Sequence, residues 1–154
     1  MNRLELVRAR VDAVLAAMPD PTARQAAAVH LYGVSQACAM LAMRRGADAE
    51  CAAAAGMLHD IATYATGCAA EHGPRGAVMA REILISIGAF TAGEIGEICT
   101  AIAVHSDKGG THAPLGEILT DADVWQHCLF DPARLPAPHE AARFAALRTE
   151  FDLG

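Results

Sequence analysis

Histidines and aspartates set inside apolar stretches are the residues of this sequence best placed to do chemistry. His30 lies within AAVHLYG, the adjacent His59 and Asp60 within GMLHDIATY, and Asp121 within ILTDADVW. An ionisable group on a core-facing helix needs a polar partner or a metal. In chain order these residues read H, HD, D. Imidazole nitrogen and carboxylate oxygen without thiolate suit a divalent ion and leave coordination positions open for water and substrate. An ion held that way can bring bound water toward ionisation near neutral pH. An HD dipeptide alone is weak, and one histidine on an apolar face is more often a hydrogen-bonded core group. The weight lies in order, context and spacing.

Helices must bring these residues together. Apolar positions recur at helical spacing over 4–15, and Pro19, Asp20 and Pro21 break that pattern. Asp20 followed by Pro21 opens a second helix, which carries His30 and runs to about 45, where Gly46 closes it. Asp48 caps a third, running through the alanine block at 52–55 to about 62, with His59 and Asp60 in its last turn. Pro74 suits the first turn of a fourth helix that ends at Gly88, and Thr91 with Glu94 marks a capping box for a fifth, reaching about His105. After the loop SDKGGTHA, Pro114 opens a sixth helix ending near Phe130; prolines from Pro132 to Pro138 then precede a short amphipathic helix to about Phe151. Successive helical residues point about 100° apart, so His59 and Asp60 can share an ion only at a groove between helices.

Composition agrees with this plan. A length of 154 residues fits one compact domain, 1–154, and 53% hydrophobic residues suffice for a core without disulfides or a structural metal. Only 5% are aromatic while alanine abounds, which favours closely approaching helices over a sandwich or barrel. The net charge of −6 offers no general field for a phosphate backbone, so general nucleic-acid binding is not expected. Gln25, His30, Ser35 and Gln36 interrupt the longest uncharged stretch, which argues against a membrane span. The opening MNRLELVRARVD has no apolar region of a secretory leader, and the expected location is cytoplasmic. Cys38, Cys51, Cys68, Cys99 and Cys128 contain no CxxC pair and read as buried, reduced thiols.

Over VHLYGVSQACAMLAMRRGADAECAAAAGMLHDIA the chain resembles the HD-domain superfamily of metal-dependent phosphohydrolases. That pattern has a histidine on one helix, a His-Asp pair ending a later alanine-rich helix, and a distal aspartate. The resemblance implies an all-α, single-domain HD-type bundle of about six or seven helices, with its motif core at about 22–130. It also implies His30, His59, Asp60 and Asp121 as ligands of a first metal. His72 in AEHGPRGAVMAREIL and His105 in AIAVHSDKG look like the extra histidines of branches that hold two metals bridged by the paired aspartate. One or two divalent ions are therefore expected, with Mn, Fe, Mg, Co, Ni and Zn all compatible with nitrogen and oxygen ligands.

Asp60 is the expected catalytic centre, both ligating and orienting the attacking water. Lys108, in a glycine-rich loop, is read as a mobile charge for a substrate phosphate, and Arg75 as a bidentate phosphate contact if it faces the cleft. Each has a plainer alternative, a solvated lysine and a surface ion pair. Asp123 falls about 200° around the helix from Asp121 and is set outside the first shell, while His112, His127 and His139 are left out of the site. Trp125 and Tyr64 read as core, or as walls of a ring pocket. The absence of a lysine shortly after HDI and of a GYP-type signature argues against a cyclic dinucleotide. The leading expectation is a phosphohydrolase for a nucleotide or small phosphorylated metabolite, with copies of the chain free to self-associate. A di-iron oxygenase and a non-catalytic metal- or nucleotide-binding regulatory module are the alternatives.

Overall fold

The computed structural model describes residues 2–153. Among them the chain forms eight helices and no strand: α1 (Arg3–Ala16), α2 (Pro21–Arg45), α3 (Ala49–Leu58), α4 (Ile61–Thr66), α5 (His72–Ile87), α6 (Ala92–Val104), α7 (Pro114–Phe130) and α8 (Ala141–Glu150). Local chemistry sets most of their ends. Asn2 with Glu5 and Thr91 with Glu94 form capping boxes at α1 and α6. The Asp20 and Asp48 carboxylates accept from the backbone of Thr22 and Cys51, opening α2 and α3. Gly46 and Gly88 adopt left-handed φ values of 71° and 66° where α2 and α5 stop, a conformation that costs a residue without Cβ little.

The packing centre is the contact of α2 with α3. Leu31, Val34, Cys38 and Leu41 of α2 are wholly buried, and α3 is buried along its length from Cys51 to Leu58. Small side chains let the two backbones meet: a Cβ placed on Gly56 would lie 2.6 Å from the Ser35 Cα. The same device brings in α5, because a Cβ on Gly76 would lie 2.7 Å from the His59 carbonyl oxygen. These close approaches are what carry His30, His59 and His72 toward one point. By length and composition α2 could also cross a membrane, but here its apolar face lines the core.

One expected helix is two. The segment read as continuous to residue 62 breaks at Asp60, whose φ of −108° and ψ of 13° leave the helical region. The break ends α3 and leaves its last carbonyls free to accept from side chains, as Gly56 does from His59. All five cysteines are free; Cys38, Cys51, Cys99 and Cys128 are buried, whereas Cys68 is exposed in the loop before α5, contrary to expectation. Trp125 is a core residue, packed against Phe144 and Phe151 beneath α8.

Candidate metal centre

Helix ends supply much of the centre. His30 comes from α2, His59 and Asp60 from the α3–α4 junction, His72 from the start of α5, His105 from the cap of α6, and Asp123 and His127 from α7. His59 Nδ1 donates to the Gly56 carbonyl at 2.8 Å and His105 Nδ1 to the Ile102 carbonyl at 2.7 Å. Both acceptors lie near helix C-termini, where carbonyls lack helical partners. His72 Nδ1 donates to the Ala69 carbonyl at 3.1 Å, and His30 Nδ1 to Gln126 Oε1 at 2.8 Å. A carbonyl can only accept, so each Nδ1 carries the proton and each Nε2 presents a lone pair.

Those lone pairs converge. His30 Nε2 and His59 Nε2 are 3.0 Å apart, and each lies 3.6 Å from Asp60 Oδ2. Asp123 Oδ1 faces the same two nitrogens at 3.5 and 3.7 Å. The other oxygen of Asp60, Oδ1, lies 3.5 Å from His105 Nε2 and 3.8 Å from His72 Nε2. Asp60 thus turns one oxygen to each imidazole pair. Residues on either side of it, which sequence alone scatters over most of the chain, stand around one carboxylate.

The donor set fits a divalent metal. With every Nε2 unprotonated, the His30–His59 contact at 3.0 Å sets two lone pairs against each other, a repulsion that a cation between them removes. Nitrogen ligands at the usual metal distance of about 2.1 Å lie about 3 Å apart when adjacent around one ion. Asp60 Oδ1 and Asp123 Oδ1 are buried and accept no hydrogen bond, the condition of a carboxylate oxygen reserved for a cation. A contrasting group, Asp48, Cys51 and Glu94, already has its cation: Arg3 lies 2.6 Å from Glu94 and 3.7 Å from Asp48.

Electrostatics keep His59, Asp60 and Asp123 in their ligating forms. Burial pushes His59 down to about 4, so it is neutral at pH 7. Burial opposes ionisation of Asp60, but the positive charge and N–H groups that His59, His105 and His30 present when protonated outweigh it and hold the carboxyl far below its ordinary range. Asp123 is likewise depressed against the cost of burial, first by Lys108 and then by His59, His127 and His30. Lys108 Nζ donates to Asp123 Oδ2 and, at 3.0 Å, to the His105 carbonyl. It therefore leaves Asp123 a single free oxygen, the one turned toward His30 and His59.

The aspartate of α7 that faces the histidines is Asp123, and the expectation of Asp121 there is corrected. Asp121 Oδ1 accepts from Arg143 at 2.8 Å and Asp121 Oδ2 pairs with Arg45 at 2.8 Å, so both its oxygens serve to tie α7 to α8 and α2. The half-turn between the two positions was right; the side facing the cleft was the other one. Arg75 is also corrected. It donates to the Cys68 and Ala70 carbonyls and to Thr66 Oγ1, and so pins the loop that carries the Ala69 acceptor of His72. Lys108 is no mobile loop charge, since its side chain is buried against Asp123. His127, left out of the site, belongs beside it: its Nε2 is 3.5 Å from Asp123 Oδ1, its Nδ1 pairs with Glu140 at 2.8 Å, and its ring stacks on His30. The i, i+4 spacing of Asp123 and His127 was a signal in the sequence that could have found both.

A family model described as HD domain matches residues 28–127, from just before His30 through His127. The match covers more than half of the chain, and the protein belongs to the HD domain family, whose members bind divalent metals and are mostly hydrolases. No curated protein and no solved structure matches it.

Proposed function

We propose that this protein is a phosphohydrolase that works with a pair of divalent ions and cleaves a phosphate ester of a nucleotide or another small metabolite. The observation that carries the reading is Asp60, whose two oxygens face two separate imidazole pairs. His30, His59, Asp60 Oδ2 and Asp123 Oδ1 would hold one ion; His72, His105 and Asp60 Oδ1 would hold the other. When bound, the ions supply an ionisable water and positive charge for the phosphoryl oxygens. The chain's own residues do the rest. Backbone carbonyls aim three imidazoles, Lys108 orients Asp123, and Asp60 sets the distance between the two ligand groups. Membership of the HD family supports hydrolysis over a purely structural role. The acidic overall charge goes with a small substrate rather than nucleic acid.

The test is a panel of nucleotide, sugar and alkyl phosphates offered to protein reconstituted separately with each candidate metal, beside Asp60→Ala. Phosphate release by the wild type that disappears in the variant is the expected result. Equal release by both proteins, or oxygen uptake without phosphate release by the iron-loaded protein, would overturn the proposal.

A further inference from the structure

A cavity of 390 Å³ lies beside the centre and shares His30 and His127 with it, its outer side formed by the segment between α7 and α8. Its walls are mainly apolar: Ala26 and Val29 of α2, Phe130 at the end of α7, and Leu135, Pro136 and Ala137 beyond it. The polar groups on its inner side are already engaged, Gln126 with His30 and Glu140 with His127, while Asp131 accepts from the Ala133 backbone. Arg134 is the cation in its lining. Phe130 is 73% exposed and Leu135 is 87% exposed. Two large apolar side chains exposed together at the rim of a concave, mainly apolar site make a surface suited to binding. The family match ends at residue 127, so the outer wall belongs to a part of the chain beyond the shared motif.

We infer that this cavity is the subsite for the alcohol portion of the substrate and that it selects phosphate esters of apolar, ring-sized groups over small polar ones. The inference rests on the hydrolase reading, and it names what that reading leaves open. A phosphoryl group held at the histidine cluster has its ester oxygen directed past His127 into a space large enough for one or two rings. Contact with Val29, Phe130 and Leu135 then discriminates by apolar area. Arg134 favours an acidic substituent on the same group.

Binding, rather than turnover, tests this independently of the reaction. Calorimetry on the Mn²⁺-loaded protein compares phenylphosphonate with methylphosphonate, for the wild type and for the uncharged variants Leu135→Asn and Val29→Thr, both at exposed rim positions. The wild type is expected to prefer phenylphosphonate at least about tenfold, the scale set by burying one ring face, and the variants less than about threefold. Methylphosphonate affinity should not change. Equal affinity for the two ligands in the wild type, no binding of either, or an undiminished preference in both variants would overturn the subsite. A retained preference with no ester hydrolysed would instead overturn the hydrolase reading and leave the subsite standing.

Discussion

Asp121 and Asp123 stand two residues apart on α7 and are almost equally buried, at 8% and 5% exposed, yet their surroundings divide them. Asp121 meets Arg45 and Arg143, one on each oxygen. Asp123 meets Lys108 on one oxygen and, on the other, only imidazole nitrogens whose lone pairs point at it. The first carboxylate is neutralised by the fold. The second keeps one buried oxygen with no hydrogen-bond donor, and so does Asp60 beside it. A buried acid with complete partners is a brace, and one with an unpartnered oxygen among histidines is placed to hold a cation.

Substitution should separate the two roles. Asp123→Asn keeps an oxygen for Lys108 but removes the charge a metal needs, so metal affinity is expected to fall by more than about 100-fold, beyond the loss typical of an outer partner. Asp121→Asn should hold its metal within a few-fold while losing about 2 kcal/mol of stability, because two arginines at a partly buried site lose their acceptor charge. Competitive chelator titration and denaturant melts of the two variants measure both effects. If Asp121→Asn released metal and Asp123→Asn did not, the assignment would be reversed.

Packing gives a second contrast, between the crowded α2–α3 contact and the exposed loop before α5. Gly56→Ala forces a Cβ against the Ser35 backbone and is expected to cost about 1–3 kcal/mol, the range for overpacking. Arg75→Ala removes three hydrogen bonds from an exposed loop and should lower stability by less than about 1 kcal/mol. Its sharper effect falls on His72, through the loosened Ala69 carbonyl, as a few-fold weaker hold on one ion of the pair.

Acid should act through His30 before His59. Burial works against protonation of His30, but Asp60, Asp123 and Gln126 outweigh it and raise it above the ordinary 6.5. Metal affinity is therefore expected to fall as pH drops through the raised value of His30, while His59, near 4, keeps its lone pair. In the chelated protein the sign for His30 is opposite. Its protonated form favours the fold, so that stabilisation is present below about 6.5 and is lost as pH rises through the raised folded value. Asp60 and Asp123, both depressed, stabilise above about 3.8 and cease to do so as pH falls through their lowered values. Paired metal-retention and Tm profiles against pH check both signs.

The bundle was legible in the sequence because caps and prolines mark helix ends locally. His30, His59, Asp60, His72 and His105 were legible as an ordered set, and the fold brings them together. The choice between Asp121 and Asp123 was not. Residues 118–125 are all buried, so the apolar pattern of α7 gives no outward face by which to set its rotation. The break at Asp60 was hidden for a related reason: no glycine or proline marks it, and it arises where His59 and Asp60 turn toward groups on α2, α5, α6 and α7. The partners of Arg75 and Lys108 depend on loop paths that no periodicity specifies.

The most direct measurement of the metal centre is elemental analysis after reconstitution and gel filtration, on the wild type and on Asp60→Ala, with circular dichroism to establish that both are folded. The account predicts a pair of ions retained per wild-type chain and a folded Asp60→Ala that retains neither in full. A wild type that keeps no ion, or a variant with the same metal content as the wild type, would contradict it.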